Sequence, residues 1–106
     1  MFKFMFKNTL KSVEVNEIQD LLGKIELIDV REPYEYKYGH LPTAKNIPMD
    51  ELIHKADKLL DKSKEYHIIC QSGGRSSNVC SILKGKGFNV VNVSGGTGRY
   101  RGKLER

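Results

Sequence analysis

The chain has 106 residues, room for one compact domain and too few for two. Apolar residues make up 39% and charged residues 29%, an ordinary globular balance, and the formal net charge is +5. The basic residues are scattered, and the one dense cluster, GRYRGKLER at 98–106, also carries Glu105. It reads as a solvated tail, and the sequence holds no nucleic-acid motif beyond charge, so no nucleic-acid partner is expected.

The opening MFKFMFK is apolar but broken by lysines. It lacks the unbroken apolar core of a signal peptide and is too short to cross a bilayer. Residues 1–11 are expected to form an alternating strand or an arm on the domain at 12–106, with no stable membrane association. Residues 12–15 then read as a short first strand. Residues 15–22 place Ile18, Leu21 and Leu22 at helical intervals before Gly23. Residues 25–30, IELIDV, read as a buried parallel strand. Pro33 suits the first turn of a helix over 32–39, which Gly39 ends. Residues 44–48 form a short extended piece before Pro48. The spacing predicts a helix over 49–60 with Leu52, Ile53, Ala56, Leu59 and Leu60 inward, and Asp50 near its positive end.

Residues 66–70 are the next strand, and 75–87 form a helix with Val79, Ile82 and Leu83 inward and glycines at its end. Residues 88–93 are the last strand, 94–98 a loop, and the tail a short final helix. Five strands separated by helices imply right-handed crossovers, hence an α/β domain. Its central, mainly parallel five-stranded sheet is flanked by helices on both faces. Sites in such sheets lie outside the C-terminal strand ends, where Asp29 and Cys70 both fall.

The loop CQSGGRS at 70–76 carries the clearest chemistry. A strand delivers Cys70 to the sheet edge, and Gly73 and Gly74 let the chain turn back into a helix. Amides in such a turn, with those of the helix start, converge on one point and form an anion nest. A thiol there is expected to ionise near neutral pH, its pKa falling from about 8.5 into the range of roughly 3.5–7.5. Arg75 supplies a planar cation suited to an oxyanion. Cys80, mid-helix beside Val79, reads as core. The two cysteines make neither a CxxC pair nor a zinc pattern, no disulfide is expected, and a reducing cytoplasm is the expected location.

CQSGGRS resembles the active-site loop of the rhodanese sulfurtransferases. The segment 27–52, LIDVREPYEYKYGHLPTAKNIPMDEL, is similar to that family's other hallmark, and 87–100, GFNVVNVSGGTGRY, to its ending, so the likeness spans about 12–100. It implies a single rhodanese-like domain in which Cys70 carries sulfane sulfur as a persulfide. The donor would be thiosulfate or another small anionic persulfide, and the acceptor cyanide, a thiol or a protein, with no metal or organic cofactor. Gln71, Ser72, Gly73, Gly74, Arg75 and Ser76 would bind the transferred group. Arg31 would meet the donor or pair with a carboxylate. Asp29 and His40 are read as structural support, and His54 and His67 as more so.

Cys70 and Arg75 have four residues between them, whereas cysteine phosphatases use Cys-x5-Arg. The shorter ring suits one sulfur atom rather than a phosphate. A non-catalytic binding module on the same fold stays as the alternative, and a small phosphatase or arsenate reductase behind it. A phosphate-binding loop in GGTGRYRGK is excluded, because Thr97 stands where that motif needs glycine and Arg101 breaks the dinucleotide pattern.

Overall fold

The computed structural model describes residues 10–106; the opening segment expected as an arm lies, through residue 9, outside them. The described residues contain β1 (Lys11–Glu14), a 3-10 helix (Val15–Leu21), β2 (Glu26–Asp29), α1 (Pro33–Tyr38) and β3 (Lys45–Asn46). They continue through α2 (Met49–His54), α3 (Ala56–Leu59), β4 (Glu65–Ile69), α4 (Gly74–Gly85), β5 (Asn89–Ser94) and α5 (Gly96–Arg99). The five strands form one sheet in the order β1-β5-β4-β2-β3 with every pairing parallel. β4, which leads into Cys70, is the central strand.

Period-two alternation loads both faces. Ile28, Tyr66, Ile68 and Val90 point to one side and pack against Leu52 and Ala56 of α2 and α3 and Val79, Cys80 and Leu83 of α4. Leu27, Ile69 and Val93 point to the other and meet Val15 and Ile18, with Tyr36 of α1 beside them. The sheet is therefore covered on both sides, which an all-parallel sheet requires.

Four elements differ from the sequence reading. Residues 15–21 wind as a 3-10 helix, because the buried pair Val15 and Ile18 is spaced by three, the repeat of that helix. The helix expected over 49–60 breaks at Lys55, where φ is −114° and ψ 19°. The break buries Leu52, Ala56 and Leu60 and leaves Leu59 exposed. β3 has two residues only, confined between Thr43, whose φ is +70°, and Pro48. The expected loop at 94–98 holds the helical turn α5, and the tail forms an antiparallel bridge, Glu105 to His40, in place of a final helix.

Candidate active site

β4 and β2 run side by side with Ile69 opposite Asp29, so Cys70 and the 29–31 segment leave the same sheet edge together. Beyond β4 the chain turns at Gly73, whose φ of +103° is a region that favours glycine. Gly74 opens α4 with no positive φ, so only one of the two loop glycines is there for its backbone angle. The turn folds two amide donors and a hydroxyl back around the sulfur. The Gly73 amide donates at 3.1 Å and the Ser76 amide at 3.3 Å to Cys70 Sγ, and the thiol itself donates to the Ser76 hydroxyl at 3.3 Å. Burial pushes the Cys70 thiol up. The Ser76 hydroxyl and the amides of Ser76, Ser72 and Gly73 more than offset it, so the group lies below the ordinary thiol range.

A second loop locks the first. The Thr97 amide donates to the Cys70 carbonyl and the Gly98 amide to the Gln71 carbonyl, each at 2.9 Å. A Cβ on Gly96 would stand 2.5 Å from both of those carbonyl oxygens. The glycine pair after β5 is thus what lets α5 lie against the start of the Cys70 loop.

Each of the two arginines holds a carboxylate. Arg75 holds Glu35 of α1 through two bonds of 2.8 and 2.9 Å. That guanidinium keeps the Glu35 carboxyl down at about 2. Glu35 also accepts from the Glu32 amide, completing a capping box, so one carboxylate ties α1 to the start of α4. Arg75 therefore reaches Cys70 through its charge alone. Arg31 is buried and forks onto Asp29, whose Oδ1 also accepts the Arg31 amide. It also donates to the Gly39 carbonyl and the Gln71 side chain, and it lines the cavity that opens beside the loop. Asp29 sits among these donors as a positioning group. His40 stacks on Tyr36 at 3.7 Å and its Nδ1 pairs with the Tyr36 carbonyl, away from the sulfur.

Three residues at the site were not singled out from sequence. Glu35 was marked only by its i, i+3 spacing from Glu32. Gly96 was marked by its place in the glycine pair. Asn92 was marked as a polar break in the apolar run of β5; its side-chain oxygen is 2.6 Å from the Ser76 hydroxyl. A cavity of about 500 Å³ opens beside the loop, walled by Tyr34, Tyr38, Tyr100, Leu104, Gln71 and Thr97. The buried Thr97 hydroxyl has no hydrogen-bond partner among the described residues.

A parallel α/β sheet with a donor-ringed thiol at the end of its central strand defines a cysteine-loop domain. The family model described as Rhodanese-like domain matches residues 14–103, and the chain belongs to that family. It is 44% identical over 101 residues to the protein named "Putative sulfurtransferase YtwF" of Bacillus subtilis (strain 168), covering 88% of this chain and 97% of that one. It is 38% identical over 82 residues to "Putative sulfur carrier protein YrkF" of the same organism, covering 76% of this chain and 44% of that one. Among solved structures it resembles the rhodanese-like domain protein from Staphylococcus aureus, with a TM-score of 0.78, 35% identity, and 91% and 97% of the two chains covered.

Proposed function

We propose that this protein is a sulfurtransferase that carries sulfane sulfur as a persulfide on Cys70. The observation that carries this reading is the pair of Gly73 and Ser76 amides donating to Sγ, with the Ser76 hydroxyl in hydrogen-bond contact beside them. The ring stabilises a thiolate before reaction and the same anionic charge on a persulfide afterwards. The Cys70 thiolate attacks the outer sulfur of thiosulfate; a new S–S bond forms, the old one breaks, and sulfite leaves with the electron pair. An acceptor thiolate, or cyanide, then attacks the outer sulfur of the persulfide, and the Cys70 thiolate is the leaving group. Two half-reactions through one covalent intermediate give ping-pong kinetics. Neither step needs a general base once the thiolate is formed, which agrees with the structural placement of His40.

The apolar cavity beside Gln71 is the approach for a thiol or protein acceptor, a reading in keeping with a relative named as a sulfur carrier. The reaction belongs in a reducing cytoplasm, where the thiol survives between turnovers. Among the described residues no helix is long and apolar enough to cross a membrane. Mass spectrometry after incubation with thiosulfate tests the proposal. Gain of one sulfur atom on Cys70, removed by excess thiol and absent in Cys70→Ser, is expected. Failure to gain it, or phosphotyrosine hydrolysis that depends on Cys70, overturns the reading.

A further inference from the structure

The Ser76 hydroxyl has one proton and three acceptors within reach. Cys70 Sγ lies at 3.3 Å, the Gly73 carbonyl at 3.2 Å and Asn92 Oδ1 at 2.6 Å. With the shortest contact taken as the bond made, Ser76 donates to Asn92, and the Cys70 S–H donates in turn to Ser76 Oγ. That chain of two bonds belongs to the thiol. A thiolate has no proton to give, and it would then face the lone pairs of Ser76. For the hydroxyl to donate to the sulfur, Asn92 must stop accepting. An amide can do so without moving from its place, because a half-turn exchanges oxygen for NH₂. The Asn92 nitrogen now lies a long 3.5 Å from the Gly73 carbonyl, so the half-turn gives up a weak bond and sets the amide oxygen near that carbonyl, a cost the bond from Ser76 to the anionic sulfur offsets.

We propose that Asn92 is a positioning residue for Cys70: its side-chain amide accepts from Ser76 when the sulfur is protonated and turns to donate to Ser76 when the sulfur is anionic. The turned amide frees the Ser76 proton for the sulfur. A persulfide presents the same anionic demand, so Asn92 and Ser76 serve both half-reactions. This deepens the proposed sulfur transfer and rests on Cys70 being its thiolate nucleophile. The residue is placed for it. Asn92 is buried on β5 between Ile68 of β4 and Ser12 of β1, neither of which ionises. The titratable groups that feel the Cys70 charge are Arg75 and Cys80 of α4; Glu35 of α1 is bound to Arg75, and Asp29 of β2 to Arg31. With Glu35 held down at about 2 and Cys80 pushed up to about 12, neither changes charge in the window where Cys70 ionises.

The test is the pH dependence of Cys70 alkylation. Asn92→Asp puts an obligate acceptor opposite Ser76, and the alkylation midpoint is expected to rise by about one pH unit or more. In a Ser76→Ala background the same change is expected to raise it by less than about half as much, since the hydroxyl that transmits it is gone. An equal rise in both backgrounds, which direct charge repulsion alone would produce, overturns the proposal, as does no rise. A second measurement needs only conservative chemistry. In ¹⁵N-labelled wild-type protein the Asn92 side-chain NH₂ resonances should titrate with the Cys70 midpoint and lose most of that movement in Ser76→Ala. Resonances that do not move, or that move equally in both proteins, overturn it too. Sulfur gain on Cys70, read separately by mass, reports on the transfer reading independently.

Discussion

Cys70 and Cys80 lie ten residues apart, at the mouth and in the body of one loop–helix unit. Both are free, with 1% and 0% of their surface exposed. Burial pushes the Cys80 thiol up to about 12, its ordinary fate in an apolar setting. Burial acts on Cys70 with the same sign, yet that thiol moves down, because the Ser76 hydroxyl is bonded to it and backbone N–H groups point at it. Reactivity in this fold therefore follows from where the backbone aims its donors. How much of the thiol water can see decides little, since the two cysteines shift in opposite directions and are equally hidden.

The largest expected effect separates the two directly. Cys70→Ser should lower sulfur transfer by at least about a thousandfold, while Cys80→Ala leaves it within about twofold, measured as thiosulfate-dependent product formation. Comparable losses in both would erase the contrast. Next comes the backbone that holds the ring. Gly96→Ala should destabilise the fold by about 2–3 kcal/mol, since its Cβ meets two carbonyls at 2.5 Å and its φ is +64°. In the fraction that folds, Cys70 alkylation should follow a more ordinary thiol titration. Urea unfolding and alkylation rates check the pair.

The pH dependence of stability carries the contrast in sign. Cys80 keeps its proton in the fold up to about 12 but loses it near 8.5 once unfolded. The native state then binds more protons, so stability falls with rising pH across that window, by up to about 1.4 kcal/mol per unit. Cys70, lowered in the fold, contributes in the opposite sense: its gain is complete above the ordinary thiol range and fades as pH falls through its native value. Cys80→Ala should flatten the alkaline decline at a cost of about 1 kcal/mol in packing at neutral pH, read from unfolding between pH 8 and 11. The smallest effect is Glu35→Gln. The Glu35–Arg75 pair is partly exposed, so it is worth about 0.5–1 kcal/mol. Its contribution is present above the ordinary carboxylate range and is lost only as pH falls toward about 2. Sulfur transfer should change only a few-fold, consistent with Arg75 acting on Cys70 at a distance.

Local residues announce the frame. Alternating apolar strands, Pro33 and the glycine stops mark the order of elements, and the sheet follows from that order by the handedness of parallel crossovers. CQSGGRS marks the thiol and its turn, because both are set by residues within one short stretch. The failures share a cause. The break at Lys55, the 3-10 winding at 15–21 and the turn at 96–99 are decided by which side chains the neighbouring layer accepts, and no local spacing records that.

The partners of charged groups were the least legible part. Arg75 stands in the loop sequence as a ligand for an anion, but Glu35 lies 40 residues away in the chain and takes it. Arg31 was balanced between donor and carboxylate, and Asp29, two residues off and on the same sheet edge, claims it. By itself the sequence determined that a thiol would end a parallel strand inside a ring of amides, because glycine and a helix start in succession leave the backbone few other ways to turn. Only the tertiary structure decided what lies behind that ring. It set Gly96 against the loop carbonyls, Glu35 on Arg75 and Asn92 behind Ser76, since each joins residues from separate strands or helices that meet only when the sheet is built.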